Sequence, residues 1–184
     1  MEAIYFSFIG KPGCGKSTIL KQINEEYDVN VIFLGEELRK RKLVNGSDLL
    51  STEKLECILE EMIKGIKQAH ADKKETTIIF DGFPRTLSQI SGKFPLKSTF
   101  VINIDENVAK ERINNRKGNR KDDKDNKVIE ERFKKFFKET QPAIENLKSL
   151  DLVIEIDGNK SKEEVYKKVK DVIEEKKYFK KKIK

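Results

Sequence analysis

Residues 10–17 read Gly-Lys-Pro-Gly-Cys-Gly-Lys-Ser, a complete G-x-x-x-x-G-K-[ST] phosphate-binding loop. The apolar run of residues 3–9 precedes this loop, and a helix-like stretch, residues 18–23, follows it. A buried strand would deliver the chain to a turn whose N–H groups face inward, and the next helix would add its positive N-terminal end. The sequence therefore predicts a nucleoside triphosphate site. A chance glycine-rich turn is the alternative, which the flanking strand and helix disfavour.

The residue types of this loop suit a bound triphosphate. Its glycines allow backbone conformations and a close approach that a β-carbon would obstruct. Lys16 can reach the β- and γ-phosphates, and the hydroxyl of Ser17 can join the ligands of a Mg²⁺ ion. The loop residues predicted to bind ATP are Gly10, Gly13, Cys14, Gly15, Lys16, Ser17 and Thr18.

Composition and charge limit the class of protein. The 184 residues suit one α/β domain, and their net charge of +7 suits polyanionic substrates, although it would also suit RNA or an acidic membrane. Two cysteines, Cys14 and Cys57, are too few for a disulfide framework or a zinc knuckle, and the pattern around Cys57 predicts a core position. The chain lacks a leader-like segment and an apolar stretch near twenty residues, so we expect a soluble, cytoplasmic protein.

The lysine-rich end of the chain, residues 176–184, accounts for much of the positive charge. A run of like charges at a terminus is typical of a solvated, frayed end. We therefore expect this segment to take no part in the packed structure.

Five short β-branched or aromatic runs predict buried strands, at residues 3–9, 30–34, 76–80, 99–104 and 152–156. Helical patterns separate them, which indicates a parallel sheet covered on both faces. Asp105 is a predicted N-cap, and Ser161 with Glu164 forms a predicted capping box before the last helix. The expected fold is a three-layer α/β/α domain around a five-stranded parallel sheet.

Two segments interrupt the alternation of strands and helices. Residues 35–70 hold more helix than one crossover needs, and residues 114–127 contain no apolar side chain. The second segment predicts an exposed loop that could close over anionic ligands. We divide the single domain into a core (1–34, 71–113 and 133–184), a helical insertion (35–70) and a short lid (114–132).

A second motif follows the third predicted strand, where residues 81–85 read Asp-Gly-Phe-Pro-Arg and Gln89 lies four residues further on. An acidic residue at the carboxyl end of a strand, near a phosphate loop, can hold Mg²⁺ directly or through water. Together with the form of the phosphate loop, this segment resembles the adenylate kinase and nucleoside-monophosphate kinase family. The resemblance covers nearly the whole chain and implies a P-loop phosphotransferase that uses ATP, a nucleoside monophosphate and Mg²⁺.

The resemblance assigns residues to the acceptor. Arg39 would grip the acceptor phosphate, Arg85 would clamp it, and Gln89 would face the base. The acceptor-binding residues that it implies are Leu34, Arg39, Leu50, Gly82, Arg85, Gln89, Arg120 and Arg132.

It likewise assigns residues to the donor and to catalysis. Arg112 would lie against the base of ATP, Arg116 on its phosphates, and the turn at residues 157–160 against its adenine. The additional ATP-binding residues are Arg112, Arg116, Gly158 and Lys160; the catalytic residues are Lys16, Arg85, Arg116, Arg120 and Arg132; and the Mg²⁺ ligands are Ser17 and Asp81.

Some positions depart from the family pattern. Leu34 stands where adenylate kinases usually carry a threonine near the AMP base, and Glu36 replaces an aspartate. AMP is the preferred acceptor, and UMP or CMP is the alternative. A non-catalytic or RNA-associated ATP-binding protein is the alternative from another class, although we expect neither nucleic acid nor a membrane as a partner. The expected state is a monomer without structural zinc.

Overall fold

The computed structural model describes residues 2–44, 50–90, 92–115 and 125–182. Five parallel strands form one sheet in it, which confirms the predicted fold class. The strands are β1 (Glu2–Gly10), β2 (Asn30–Ile32), β3 (Glu75–Asp81), β4 (Leu96–Asn103) and β5 (Val153–Asp157). Their order across the sheet is β2-β3-β1-β4-β5, so β1 is the central strand.

Helices cover both faces of this sheet, as the alternating pattern predicts. They are α1 (Lys16–Glu26), α2 (Leu34–Lys40), α3 (Thr52–Ala69), α4 (Glu106–Asn114), α5 (Asn126–Lys135), α6 (Gln141–Ser149) and α7 (Lys162–Glu175). A short 3₁₀ turn, Leu87–Gln89, follows β3, and a π-helical segment, Phe136–Thr140, joins α5 to α6.

The core divides along the two faces of β1 because successive side chains of a strand point in opposite directions. Phe6 and Phe8 face α1, α4 and α7, and the Phe8 ring stacks on Phe100 at 4.6 Å. Tyr5 faces α2 and α3 and stacks on Phe80 at 5.6 Å. Burial on both faces explains why these strands are continuous apolar runs.

Local predictions at the starts of the elements meet different outcomes. The capping box of Ser161 and Glu164 is confirmed at the start of α7. Asp105 holds the N-cap position of α4, but its side chain makes no capping hydrogen bond. The predicted second strand was too long at its end, because β2 ends at Ile32 and Leu34 already begins α2.

The expectation of a frayed carboxyl-terminal segment is wrong for residues 176–182. Phe179 is buried and packs edge-on against Phe6 at 4.8 Å, and Tyr178 lies 4.9 Å from the same ring. An antiparallel bridge then joins Lys181 to Tyr27. Two adjacent aromatic side chains among the lysines provide the apolar surface that holds this segment on the core.

The predicted core position of Cys57 is also wrong, since Cys57 is exposed. Helix α3 buries Leu55, Ile58 and Leu59, and a residue two positions after Leu55 lies on the far side of a helix with 3.6 residues per turn. None of the helices in the described parts of the chain is long and apolar enough to cross a membrane.

Candidate active site

The two sequence motifs meet at the carboxyl edge of the sheet. Strands β1 and β3 are neighbours with Phe8 opposite Asp81, and the N–H of Gly82 donates to the carbonyl of Phe8 at 2.9 Å. The hydroxyl of Ser17, at the start of α1, donates to Oδ2 of Asp81 at 2.9 Å. Open α/β sheets bind ligands at the carboxyl ends of their strands, at the point where the strand order reverses. In this sheet, that point lies beside the central strand β1.

The phosphate loop packs tightly against α4. Gly13 has a φ of +86°, and a β-carbon there would lie 2.4 Å from the carbonyl oxygen of Ala109, so only glycine fits. Lys16 Nζ donates to the carbonyl of Gly10 at 3.1 Å and contacts Sγ of buried Cys14 at 3.4 Å. The Lys16 ammonium therefore lies against the inner side of the loop.

The loop after β3 positions Arg85. Its Nε donates to the carbonyl of Gly82 at 2.7 Å, and its backbone N–H donates to Oε1 of buried Gln89 at 2.7 Å. Gly82 has a φ of +77°, and a β-carbon there would meet Arg85 Nη2 at 2.9 Å. Fully buried Ser7, on β1, donates its hydroxyl to the carbonyl of Phe83 and fixes the same loop from below.

Arg39 and Arg85 converge from different elements. Arg39 lies in the last turn of α2, and Arg85 follows β3. A β-carbon on Gly35 would lie 3.3 Å from Nη1 of Arg39 and 3.9 Å from Nη2 of Arg85. The two guanidinium groups thus approach the same position beside α2, and groups this close can bind a single phosphate group.

One cavity of about 680 Å³ joins the phosphate loop to this arginine pair. Its volume lies within the range of small-molecule sites. The sequence-predicted residues that line it are Gly10, Gly13, Cys14, Gly15, Lys16, Ser17, Thr18, Leu34, Arg39, Leu50, Asp81, Gly82, Arg85, Gln89 and Arg132.

Three predicted donor-side residues form a separate group beside α4. Arg112 donates through Nη1 to the carbonyl of Gly158 and through Nη2 to that of Lys160, both at 2.8 Å. Arg112 thereby ties α4 to the turn after β5. Arg116 and Arg120, predicted to act from the lid, lie outside the described residues.

Sequence reasoning did not assign four polar residues of the cavity to the site: Lys21, Glu36, Lys135 and Thr140. Lys21 lies one helical turn after Ser17, and Lys135 lies three residues after Arg132, so helical spacing could have found both. Thr140 ends the π-helical segment, for which the sequence carries no comparable signal.

The hydroxyl of Ser17 and the carboxylate of Asp81 also meet the chemical needs of Mg²⁺. Both are oxygen donors, both line the cavity, and their 2.9 Å separation brings them to one side of the phosphate loop. Mg²⁺ prefers oxygen ligands and is usually held by one or two protein groups together with phosphates and water. The residues present fit this ion.

Comparisons with known proteins agree with this geometry. A family model described as adenylate kinase matches residues 8–152. An adenylate kinase of Prochlorococcus marinus is 30% identical over 179 residues, which cover 90% of this chain and 96% of that protein. An adenylate kinase of Archaeoglobus fulgidus is 27% identical over 211 residues, covering 91% of this chain and 96% of the relative. The chain, with its phosphate loop and arginine pair in one cleft, belongs to the adenylate kinase family.

Proposed function

We propose that this protein transfers the γ-phosphoryl group of ATP to AMP and releases two molecules of ADP. One observation carries the proposal: a single cavity has the phosphate loop on one side and the pair Arg39 and Arg85 on the other. A site for one triphosphate would need only the loop. Two facing clusters of positive groups fit two phosphate-bearing ligands held end to end.

The acceptor supplies its own nucleophile. A nucleoside monophosphate is largely dianionic at neutral pH because its second phosphate pKa is about 6, so the reaction requires no general base. An acceptor phosphate oxygen forms a bond to the γ-phosphorus, and the bond from that phosphorus to the bridging oxygen of ADP breaks. The protein must therefore position two anions in line and offset their repulsion.

Arginine suits the acceptor side because guanidinium binds phosphate through two parallel hydrogen bonds and stays charged. On the donor side, the ammonium of Lys16 would exchange its hydrogen bond to the carbonyl of Gly10 for contacts with the β- and γ-phosphates of ATP. Ser17 and Asp81 would hold Mg²⁺, which, when bound, supplies positive charge beside the phosphate oxygens of ATP.

Water is the competing acceptor in any such transfer. We assign its exclusion to the segment 114–132, with Arg116 and Arg120 approaching the phosphates on closure. Arg132 lines the cavity near the carboxyl end of α5 and would contact the transferred group.

The acceptor end of the cavity supports a preference for AMP. Leu34, Leu50 and Leu55 line it with apolar side chains, which suit the flat faces of a purine. Gln89 Oε1 accepts from Arg85, and its Nε2 group provides a donor for a ring nitrogen of the base. UMP or CMP is the second candidate, because buried Leu34 carries no hydroxyl with which to recognise adenine.

A coupled assay of ADP release tests the proposal, with AMP, dAMP, GMP, CMP and UMP as acceptors and with no acceptor as the blank. We expect acceptor-dependent ADP formation that is fastest with AMP. The Lys16→Met variant serves as the control for contaminating kinases. A rate of ADP release that does not depend on the acceptor would refute the transfer. The highest rate with UMP or CMP would change only the preferred base of the acceptor.

A further inference from the structure

A second cavity, of about 790 Å³, lies at the opposite end of the sheet from the catalytic cleft. Its lining includes Ile4 near the start of β1, Thr76 and Thr77 near the start of β3, and Lys97 on β4. The six-residue interval from Ile4 to Gly10 spans about 20 Å along an extended strand. The two cavities are therefore separate, and the catalytic proposal leaves this one without a role.

Lysines dominate the lining of this second cavity. Asp28 and Glu75 are its acidic members, and the lysines are Lys73, Lys74, Lys97, Lys176, Lys177 and Lys180. Lys73 is paired with Asp28 at 2.7 Å, and this hydrogen bond holds the pKa of the Asp28 carboxyl below its usual range. Among the described residues, five further lysines and the carboxylate of Glu75 therefore line this cavity.

The side chains of these five lysines form no ion pair within the described parts of the chain. Favourable placement at the negative end of α7 explains two of them, Lys176 and Lys177. It does not explain Lys180, which lies beyond the closed end of this helix, or Lys74 and Lys97, which come from two other segments. Convergence of like charges from three segments in a concave site raises the local concentration of anions.

The fold keeps the carboxyl-terminal lysines in place. Lys177 has a φ of +52°, and the N–H of Tyr178 donates to the carbonyl of Ile173 at 3.0 Å, which together close α7 in a Schellman motif. The carbonyl of Lys180 then accepts a hydrogen bond from the N–H of Asp28 at 2.8 Å. This bond attaches the carboxyl-terminal segment to the chain that follows α1. The positive groups are therefore attached to ordered backbone before any ligand arrives.

The chemistry of the lining identifies the class of ligand. Ammonium groups act on phosphate as strong point charges, and several of them suit an anion that carries several phosphates. The volume of the cavity lies within the range of small-molecule sites. The Tyr178 ring already packs on Phe6 and Phe100, so it provides no stacking platform for a nucleic-acid base.

We propose that this basic cavity, bounded by residues 73–77, Lys97 and residues 176–180, binds a compact polyphosphate anion at a site distinct from the catalytic cleft. The proposal stands on the placement of these lysines and does not depend on the proposed activity. A free inorganic polyphosphate and the phosphate chain of a nucleotide share the required chemistry.

Titration of the intact protein with inorganic tripolyphosphate, followed through backbone amide NMR signals, tests this site. Thr77 and Tyr178 report on the basic cavity, and Gly13 and Gly15 report on the phosphate loop. The test variant carries Lys74→Gln, Lys97→Gln and Lys180→Gln. The control variant carries Lys64→Gln, Lys167→Gln and Lys168→Gln, which are exposed, lie outside the cavity and lower the net charge equally.

We expect saturable shifts at Thr77 and Tyr178 whose affinity falls at least about tenfold in the test variant and changes less than about twofold in the control. Non-saturating shifts, or equal losses in both variants, would show diffuse attraction to a basic surface and overturn the site. Repeating the titration with ATP distinguishes the two sources of the phosphate chain. Tighter binding of a single-stranded oligonucleotide at the same signals would overturn the compact ligand in favour of nucleic acid.

Discussion

Hydrogen bonds within its own loop position Arg85. The bond from Nε to the carbonyl of Gly82 holds one edge of the guanidinium group, and the bond from the backbone N–H to Gln89 holds the main chain that carries it. Such preorganised donors lower a barrier because they need not reorganise as charge shifts.

We therefore expect Arg85→Ala to lower turnover by at least about 100-fold while the protein stays folded. Arg85→Lys keeps the charge but loses the paired geometry, so it should recover only part of the loss. Steady-state kinetics with circular dichroism as the folding control measure both effects. Near-normal turnover of a folded Arg85→Ala protein would remove this arginine from the mechanism.

Ser7 acts on the same loop from inside the sheet. Its hydroxyl is fully buried, so Ser7→Ala leaves the Phe83 carbonyl without this donor and should cost about 1–3 kcal/mol of stability. Because that loop carries Arg85, the KM for the acceptor should rise while the KM for ATP stays unchanged.

Thr99 provides a matched control, since it lies opposite Ser7 on β4 and its buried Oγ1 has no hydrogen-bond partner among the described residues. Thr99→Val should be neutral or stabilising. Equal effects of the two substitutions on the KM for the acceptor would mean that Ser7 only fills space.

At the scale of elements, the carboxyl-terminal segment behaves as part of the core. Phe179 is 8% exposed and contacts the rings of Phe6 and Tyr27. Phe179→Ala should therefore lower the free energy of unfolding by about 3–5 kcal/mol, as for other buried phenylalanines.

Urea unfolding measures this loss, and Phe137→Ala is the control because Phe137 is 45% exposed. The control should change stability by less than about 1 kcal/mol. Similar small effects for both variants would restore the picture of a frayed end.

These elements also show what the pattern of residues can and cannot predict. Strands such as β1 were predictable because burial on both faces requires a continuous apolar run. The packing of Phe179 was not, because a lysine-rich stretch resembles a solvated end until the surface that receives its two aromatic rings is known. Cys57 was misplaced because it stands among apolar residues in the sequence, whereas the helical repeat of α3 separates it from the buried Leu55, Ile58 and Leu59.

The candidate site divides in the same way. The phosphate loop and Arg85 are carried by contiguous motifs, so the sequence predicts that they lie near each other. Lys21 and Lys135 belong to no sequence motif. They line the cavity because helical spacing places them on the same faces as Ser17 and Arg132. The proposed roles of Arg116 and Arg120 remain predictions.

At the scale of the whole molecule, Tyr27 links distant parts of the chain. Its hydroxyl donates to Glu174 at 3.3 Å, joining the end of α1 to α7. Burial, together with the charge of Glu174, raises the pKa of Tyr27 to about 12. The folded protein therefore retains this proton over an interval, from about pH 10 to 12, in which the unfolded chain loses it.

The stabilisation from Tyr27 should be complete below about pH 10 and disappear as the pH rises through 12. We expect the free energy of unfolding of the parent protein to fall more steeply over this interval than that of Tyr27→Phe, by about 2 kcal/mol in total. Urea unfolding at several pH values measures both slopes. The lysines titrate equally in both proteins, so their contribution cancels in the comparison. Parallel curves of unfolding free energy against pH would contradict the raised pKa of Tyr27.

The contact between Gly13 and the carbonyl of Ala109 has a mechanical consequence for the molecule. The phosphate loop and α4 are in close contact at this point, with no space between them. Tightly packed interiors transmit a displacement of one element to the next. A nucleotide that draws the loop inward must therefore carry α4 with it, and through Arg112 the turn that follows β5. Binding of ATP would in this way displace the end of α4, which is where the proposed lid, residues 114–132, begins.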